Sequence, residues 1–298
     1  MMKPNHKILS SLALGIVIVS LGFSAIFIRW ADAPGPVTSF YRLGFAAVIL
    51  TPFALVRIQR NRIQLPWQGL VFPLISGLFS ALDFATYSVA VNLTTAGTAT
   101  LLGNASPLWV AFFALVVFRE KLTGRFWLGL GLTLAGAMLV VGIDTLLHPV
   151  YGMGDMLALL SSVFYAGYYL STQRGRQRLD PLTYVWLTTS VAALGLLVIN
   201  LVFGNPLTGY STQTWLVFLA AALFSQICGY MALTYVLGHL PASVVSPTLL
   251  GQPVMTTLLA IPFLHEIPAL WQVFGGLLVL AGVFLVHQAH HQASEGGG

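Results

Sequence analysis

Two ionisable side chains, Arg42 and Asp83, interrupt long apolar stretches in this chain of 298 residues. Asp83 is the only Asp, Glu, Lys or Arg between Arg62 and Arg119. A charged side chain is costly in lipid and is usually retained there to bind a solute, move a proton or join two helices. We therefore predict an Arg42–Asp83 ion pair, which either fixes two helices structurally or takes part directly in gating or substrate contact.

Two prolines lie deep inside other apolar tracts, next to glycines and polar side chains. Pro107 ends the run LLGNASP, residues 101–107, and Pro253 follows Gln252. A proline inside a helix removes one backbone hydrogen bond and bends the helix. Such a bend must face protein or an aqueous cavity, where it could offer a freed carbonyl to an ammonium group. The predicted kink residues are Gly103, Pro107, Gly251 and Pro253.

The composition places these residues in an integral membrane protein. Hydrophobic residues make up 57% of the chain, charged residues 7%, and the mean hydropathy is +0.86, whereas soluble domains contain about 25% charged residues. The 13 Lys and Arg residues form small clusters beside apolar tracts, with no basic stripe interleaved with aromatic residues. The expected partner is therefore the lipid bilayer, and nucleic acid is not expected.

Polar breaks divide the chain into ten stretches of about 20 largely apolar residues, the length that crosses a bilayer as a helix. We predict an all-α polytopic membrane protein with ten transmembrane helices around a central cavity. The expected spans are 8–30, 35–57, 67–92, 95–118, 124–143, 154–173, 181–203, 212–237, 241–264 and 268–288.

The basic residues also predict the orientation of the spans. Lys and Arg are enriched in cytoplasmic loops near the ends of membrane helices. With the N-terminus inside, 11 of the 13 bases lie on the cytoplasmic side. The acidic residues Asp32, Asp155 and Glu266 then lie on the opposite side. Both termini are therefore predicted to be cytoplasmic.

The chain also contains an internal repeat. The features superimposed by a shift of 146 residues are Pro107 and Pro253, Glu120 and Glu266, Gly129 and Gly275, and the LAG triplets 134–136 and 280–282. We predict two five-helix units, residues 1–145 and 146–298, within one membrane domain, residues 294–298 being a tail. Because each unit has an odd number of spans, the second is inverted, as in secondary transporters that bind substrate between their halves.

These features resemble the drug/metabolite transporter superfamily in its ten-span EamA-type branch. The resemblance is carried by Leu21-Gly22-Phe23, Arg42-Leu43 with Ala46-Ala47, the tract from Pro107 through Glu120 to residues 134–136, and its copy from Pro253 through Glu266 to residues 280–282. The chain is also similar to bacterial YddG-type exporters of aromatic amino acids. The resemblance implies a bacterial inner-membrane exporter of aromatic and other neutral amino acids that works by alternating access, with spans three/four and eight/nine as gates. Leu21 stands where the family often has Trp, so no contact of that Trp is carried over.

An aromatic amino acid would present an ammonium, a carboxylate and a ring to such a cavity. Neutral donors and acceptors near the kinks can bind the charged groups, and deep aromatic side chains can stack on the ring. The predicted cavity residues are Phe23, Asp83, Tyr87, Asn104, Ser106, Trp109, Tyr168, Gln226, Tyr230 and Gln252. The patch of Phe164, Tyr165, Tyr168 and Tyr169 has two interpretations, either anchoring and packing near the membrane interface or lining the cavity.

Several other functions lack their residues in this sequence. The string GMGD, residues 152–155, matches the GxGD motif of intramembrane proteases, but no earlier span supplies a matching Tyr-Asp with the second carboxylate. HExxH, GxxxxGK(S/T) and GxSxG do not occur, which argues against zinc hydrolysis, ATP hydrolysis and a serine nucleophile. His287, His290 and His291 are expected in a solvated tail. No metal site, cofactor or enzymatic activity is therefore predicted.

Other carriers and a membrane channel are the alternatives. Sugar phosphates call for buried Lys or Arg clamps, and the spans hold only Arg42. Quaternary ammonium compounds call for a deep Glu in an aromatic cage, which the predicted midplane lacks. A salt-bridged Asp83 would stay ionised, so facilitated or weakly coupled export is expected rather than proton exchange.

Glycine-rich faces on spans five and ten leave the oligomeric state open between monomer and homodimer. Residues 124–131 and 275–282 are rich in glycine, and small residues let helix backbones approach closely in a membrane. These faces could pack within one monomer or form a contact between two copies.

Overall fold

The computed structural model describes residues 4–62, 67–94, 96–117, 119–120, 122–141, 152–265 and 268–295. Every regular element in these ranges is a helix, so the predicted all-α class is confirmed. In chain order the helices are α1 (Pro4–Trp30), α2 (Gly35–Arg60), α3 (Trp67–Leu93), α4 (Ala96–Gly103), α5 (Ser106–Val116), α6 (Gly124–Val141), α7 (Met153–Gly175), α8 (Pro181–Val202), α9 (Thr212–Ala221), a π-helix (Ala222–Gly229), α10 (Tyr230–Leu237), α11 (Ala242–Thr248), α12 (Gly251–Leu264) and α13 (Leu270–Glu295).

The helices coincide with the predicted spans. In the described part of the chain, eight helical segments are long and apolar enough to cross a membrane, and each matches one predicted span. One of the other two predicted spans is divided into the short helices α4 and α5. The remaining one is α7, which is less apolar because it carries several serines and tyrosines, with Asp155 in its first turn and Arg174 in its last.

Local sequence signals explain where the helices begin. At the start of α8, the carboxylate of Asp180 accepts hydrogen bonds from the Thr183 amide at 3.4 Å and the Thr183 hydroxyl at 2.6 Å. Pro181, with no amide hydrogen to leave unpaired, opens the helix. At the start of α9, the Ser211 hydroxyl accepts the Thr214 amide at 3.2 Å. These caps satisfy amides that have no partner inside the helix.

The two halves of the chain pack with equivalent neighbours. Span five (α6) packs on span ten (α13), and span two (α2) packs on span seven (α8). Span three (α3) packs on span six (α7). The equivalent pair in the repeat also packs, with span eight, which consists of α9, the π-helix and α10, against span one (α1). Arg119 and His265, 146 residues apart, both adopt left-handed backbone, with φ of 52° and 57°. The fold is a 5+5 repeat, inverted because each unit has an odd number of spans.

Spans four and nine are interrupted at equivalent positions. Residues 104–105 separate α4 from α5, and residues 249–250 separate α11 from α12. The residues predicted as kinks, Gly103, Pro107, Gly251 and Pro253, flank these two interruptions. Pro107 and Pro253 lie in the first turn of the helix that follows each break, where the missing amide hydrogen costs no hydrogen bond within that following helix.

The two breaks also share their backbone hydrogen bonds. In each break an amide bonds to the carbonyl three residues earlier, from Ala105 to Leu102 and from Leu250 to Pro247, both at 3.1 Å. The carbonyl of Leu249, which Pro253 deprives of its helical partner, accepts the amide of Gln252 at 3.0 Å. The sequence suggests a free carbonyl at this point to receive an ammonium group. The structure satisfies that carbonyl locally instead.

Glycines bring α6 and α13 into direct backbone contact. A Cβ atom on Gly136 would lie 2.6 Å from the Gly275 carbonyl oxygen, and one on Gly129 would lie 2.8 Å from the Gly282 carbonyl oxygen. Both distances are too short for any larger residue. These glycines of spans five and ten therefore form a contact within one chain, which is the first of the two interpretations given for them.

We expect Gly136→Leu to destabilise the protein. Forcing a large side chain into a close-packed contact costs about 1–3 kcal/mol, which lowers the melting temperature by about 2–5 °C for a chain of this size. The matched control is Gly131→Leu, because Gly131 lies on the same helix and a Cβ there meets nothing within 4 Å. Thermal unfolding in detergent measures both variants, and equal melting temperatures would contradict this packing.

Candidate substrate site

Arg42 occupies the centre of a buried polar cluster. Its side chain extends from α2 and is only 5% exposed. The Nη1 atom donates to the Ser24 hydroxyl at 2.9 Å. The Nε and Nη2 atoms donate to a single oxygen, Oε1 of Gln226, at 3.2 and 3.1 Å. The guanidinium carbon lies 4.8 Å from the ring centre of Phe84 and 5.6 Å from that of Tyr230.

Asp83, on α3, is near Arg42 but does not pair with it. Its Oδ1 atom accepts a hydrogen bond from the Ser161 hydroxyl of α7 at 2.7 Å. The carboxylate remains within electrostatic range of Arg42, yet no nitrogen–oxygen contact within 4.0 Å joins them in the described ranges. The predicted ion pair is wrong, because each charge bonds to a neutral side chain on another helix. Arg42 donates to Gln226 of the π-helix, and Asp83 accepts from Ser161 of α7. Among the residues that the structure describes, no salt bridge therefore keeps Asp83 ionised, and the expectation of facilitated or weakly coupled export, which depended on one, stays untested.

A π-helix positions Gln226. Residues Ala222–Gly229 form this wider helix in the middle of span eight, between α9 and α10. Besides accepting from Arg42, Gln226 donates from Nε2 to the Thr189 hydroxyl at 3.1 Å. Gln226 is 2% exposed and all of these contacts are buried. Short π-helical segments occur frequently at functional sites, and the sequence gives no signal for this one.

Four tyrosines enclose the same cluster. The ring centres of Tyr165 and Tyr169 are 4.5 Å apart, and those of Tyr168 and Tyr230 are 5.7 Å apart. Tyr168 and Tyr169 are 2% and 1% exposed, so they do not anchor the protein at the membrane interface. The tyrosine patch therefore belongs to the interior, and a small internal cavity lies against Tyr168, Tyr230 and Gln226.

The broken helix of span four lies beside this cluster. The Tyr87 hydroxyl is 3.0 Å from the Thr100 hydroxyl, and a Cβ on Gly103 would lie 3.2 Å from the Tyr87 ring. Trp109 donates from Nε1 to the Ser162 hydroxyl at 2.9 Å. Asn104 is half-buried in the break, whereas Ser106 and Pro107 are buried just after it.

Several predicted residues lie apart from Arg42. Phe23 belongs to an aromatic cluster, with its ring centre 5.2 Å from that of Phe263. A Cβ on Gly251 would contact Ile18 at 3.4 Å, which places the second break against α1. Gln252 and Pro253 are half-buried on α12, and no side-chain hydrogen bond links Gln252 to Arg42 or Asp83 among the described residues.

The neutral partners of the two charges were not predicted from the sequence. Ser24, Ser161 and Thr189 hold Arg42, Asp83 and Gln226 in place. Single hydroxyl residues are common in apolar helices, so they carry little signal. The one available hint is that Ser161 belongs to a Ser-Ser pair within an apolar tract.

A second set of contacts ties spans four, six and nine at the predicted cytoplasmic end. Oε2 of Glu120, just after α5, accepts the Ser243 hydroxyl of α11 at 2.6 Å. Oε1 of Gln173, on α7, accepts the Ala242 amide at 2.8 Å. The starting turn of α11 is thus bonded to two other spans.

The GMGD string has a structural role. Asp155 accepts the Gly152 amide at 3.1 Å and the Thr94 hydroxyl at 2.7 Å, so it closes the first turn of α7. No group of three His, Cys, Asp or Glu side chains that could hold a metal ion occurs in the ranges that the structure describes.

Known proteins share this sequence pattern and this fold. The pattern of the EamA-like transporter family matches residues 8–142 and, a second time, residues 152–288. The chain belongs to the EamA-like transporter family. Similar proteins include an uncharacterized transporter of Archaeoglobus fulgidus, 27% identical over 97% of this chain and 100% of the relative. Another is the pseudopaline exporter CntI of Pseudomonas aeruginosa, 24% identical over 92% of this chain and 94% of the relative.

A solved crystal structure of a protein with 18% identity superimposes with a TM-score of 0.78, over 93% of this chain and 96% of the other. This likeness concerns the fold. Membership of the EamA-like family makes the chain a multi-pass membrane transporter, because the family and the relatives are transporters. The two matched ranges, 8–142 and 152–288, each contain five of the predicted spans.

Proposed function

We propose that this EamA-like transporter exports aromatic and other neutral amino acids, as the YddG-type exporters that its sequence resembles do. The observation that carries the proposal is the pair of opposite charges, Arg42 and Asp83, held close together by neutral partners instead of by each other. An amino acid brings the complementary carboxylate and ammonium. Binding therefore pairs four charges that the protein alone leaves separate.

The surroundings of the two charges fit an amino acid with a ring. Tyr168 and Tyr230 meet edge to face beside a cavity of only about 10 Å³, so a further ring can stack on them once the surrounding helices move apart during the transport cycle. Sugar phosphates fit less well, because Arg42 is the one basic side chain placed in this cluster within the described ranges. A quaternary ammonium compound would bring no negative charge to the buried Arg42.

Alternating access is the proposed transport mechanism. The breaks in spans four and nine give each half one interrupted helix near the centre, and the Glu120–Ser243 contact joins these spans at one end. We place that end in the cytoplasm of a bacterial inner membrane, with both termini inside and the units dividing near residue 145. Whether monomers or homodimers carry out transport does not alter this scheme, since the proposed site lies within one chain.

Uptake of labelled amino acids into liposomes containing the purified chain tests the proposal. We expect saturable uptake of L-phenylalanine, L-tyrosine and L-tryptophan, with competition by other neutral amino acids. A quaternary ammonium compound and a sugar phosphate belong in the same series. The proposal fails if either of these is transported and the amino acids are not. Uptake that never saturates would indicate a channel.

Asp83→Asn should reduce L-phenylalanine uptake about tenfold or more. The amide keeps the shape and the hydrogen bond to Ser161 but removes the charge that faces the substrate ammonium, and a charged hydrogen bond contributes about 1.5–3 kcal/mol. Asp32→Asn is the control, because Asp32 is exposed in the loop between α1 and α2. Initial rates in liposomes measure both, and an unchanged rate in Asp83→Asn would rule out this role for Asp83.

A further inference from the structure

Gln226 uses the edge of Arg42 that a carboxylate would use. Nε and Nη2 form one side of the guanidinium group, and both donate to the same amide oxygen, at 3.2 and 3.1 Å. Paired donors on one edge of a guanidinium match the two oxygens of a carboxylate. A neutral amide oxygen supplies only a partial charge, so a buried cation, 5% exposed, is left with an incomplete counter-charge.

We propose that this edge of Arg42 is the subsite for the substrate carboxylate, and that the Gln226 amide occupies the subsite when no substrate is bound. The inference rests on the proposed amino-acid export and names the atoms that recognise one end of the substrate. The substrate carboxylate displaces the Gln226 oxygen, because it brings a full negative charge and two oxygens that match the paired donors of the guanidinium edge.

The structure provides somewhere for the displaced amide to go. The small internal cavity is lined by Gln226 itself and by Thr188 and Thr189. The Thr188 hydroxyl is buried and has no hydrogen-bond partner among the described residues. Gln226 already bonds to Thr189 at 3.1 Å, so a side-chain rotation toward Thr188 exchanges one polar partner for another.

The π-helix gives the exchange a backbone basis. Its wider turn carries Gln226 in the middle of Ala222–Gly229, flanked on both sides by α-helix. Because π-helical segments are rare and shift the side chains that follow them, a local change of helix type would rotate Gln226 relative to Arg42. Span eight is also one of the two spans in the proposed second gate, so the loss of the Arg42–Gln226 contact couples binding to gating.

Gln226→Glu provides the sharpest test. The substitution tethers a carboxylate of the same size at the subsite, so it should hold Arg42 permanently and weaken L-phenylalanine binding about 100-fold or more. Gln226→Met removes the competing acceptor at similar length, so binding should become several-fold tighter, up to about tenfold. Labelled L-phenylalanine binding to the full chain in lipid nanodiscs measures both.

A matched control exists on the surface. Gln292 accepts from Nη1 of Arg125 at 2.8 Å, also an arginine–glutamine contact, but between exposed side chains. Gln292→Glu should leave binding unchanged. Equal binding by wild type and Gln226→Glu overturns the proposal. Weakened or unchanged binding in Gln226→Met also overturns it, since Gln226 would then not compete with the substrate for Arg42.

The wild-type protein supplies a test that needs no variant. L-Phenylalaninamide lacks the carboxylate and should compete with L-phenylalanine about 100-fold less well. Equal competition overturns the carboxylate subsite even if the Gln226 variants fail to fold.

A failure of the proposed function gives a different result. If wild type binds no amino acid, labelled 3-phenylpropionate, which has the carboxylate and the ring but no ammonium, becomes the probe. If 3-phenylpropionate binds to wild type and not to Gln226→Glu, the carboxylate subsite is supported although the proposed amino-acid export is not. The absence of binding to either overturns the subsite as well.

Discussion

Arg42→Gln should lower L-phenylalanine transport about 100-fold or more. The variant loses the cation that we assign to the substrate carboxylate, and two charge-assisted hydrogen bonds of about 1.5–3 kcal/mol each correspond to at least this factor. The glutamine that replaces it can still bond to Ser24 or Gln226, so the cluster keeps part of its polar network. We therefore expect a folded protein that binds substrate poorly.

Two further variants separate charge from packing. Arg42→Lys retains the charge but presents a single ammonium in place of the paired donors, so it should recover only a small part of the activity. Arg60→Gln removes a base from the exposed end of α2 and should transport normally. Initial rates in liposomes, with melting temperatures for each protein, decide the matter. Normal transport by Arg42→Gln would show that Arg42 does not contact the substrate.

Cross-linking residues 120 and 243 should abolish transport. Glu120 and Ser243 are in direct contact, and they join spans four and nine at one end of the fold. If the interrupted helices open and close as gates, a covalent link there stops the cycle, whereas rigid scaffolding would tolerate it. The test uses Glu120→Cys with Ser243→Cys in a Cys228→Ala background, because Cys228 is the single cysteine of the chain.

A reducible thiol cross-linker makes the experiment reversible. Transport by the double-cysteine protein should fall to background after cross-linking and return after reduction. The matched control is Arg125→Cys with Gln292→Cys, which links α6 to α13 through side chains that are also in contact. Helices α6 and α13 already pack through direct backbone contacts. The protein linked between residues 125 and 292 should therefore transport normally. Full activity of the protein linked between residues 120 and 243 would rule out a gate at that end.

The sequence was sufficient for the spans and the breaks because these depend on local properties. Stretches of about 20 apolar residues define membrane helices wherever they occur. Pro107 and Pro253 interrupt a helix through their own covalent structure. Both features could therefore be read without knowing which helices are neighbours.

The partners of Arg42 and Asp83 could not be predicted in the same way. Counting residues along a span gives the depth of a side chain, but the direction in which it points depends on how the helices pack. The π-helix changes that direction further, and it brings Gln226 to Arg42 where the sequence suggested Asp83. The hydroxyl of Ser161 then satisfies Asp83. Small polar residues of this kind become informative only once the packing is known.

A structure of the full chain with L-phenylalanine bound tests the central claim most directly. We expect the carboxylate within hydrogen-bonding distance of Nε and Nη2 of Arg42, with Gln226 turned away and the ring beside Tyr168 and Tyr230. The ammonium should face Asp83. An amino acid bound elsewhere, with the Arg42–Gln226 hydrogen bonds intact, would contradict the account.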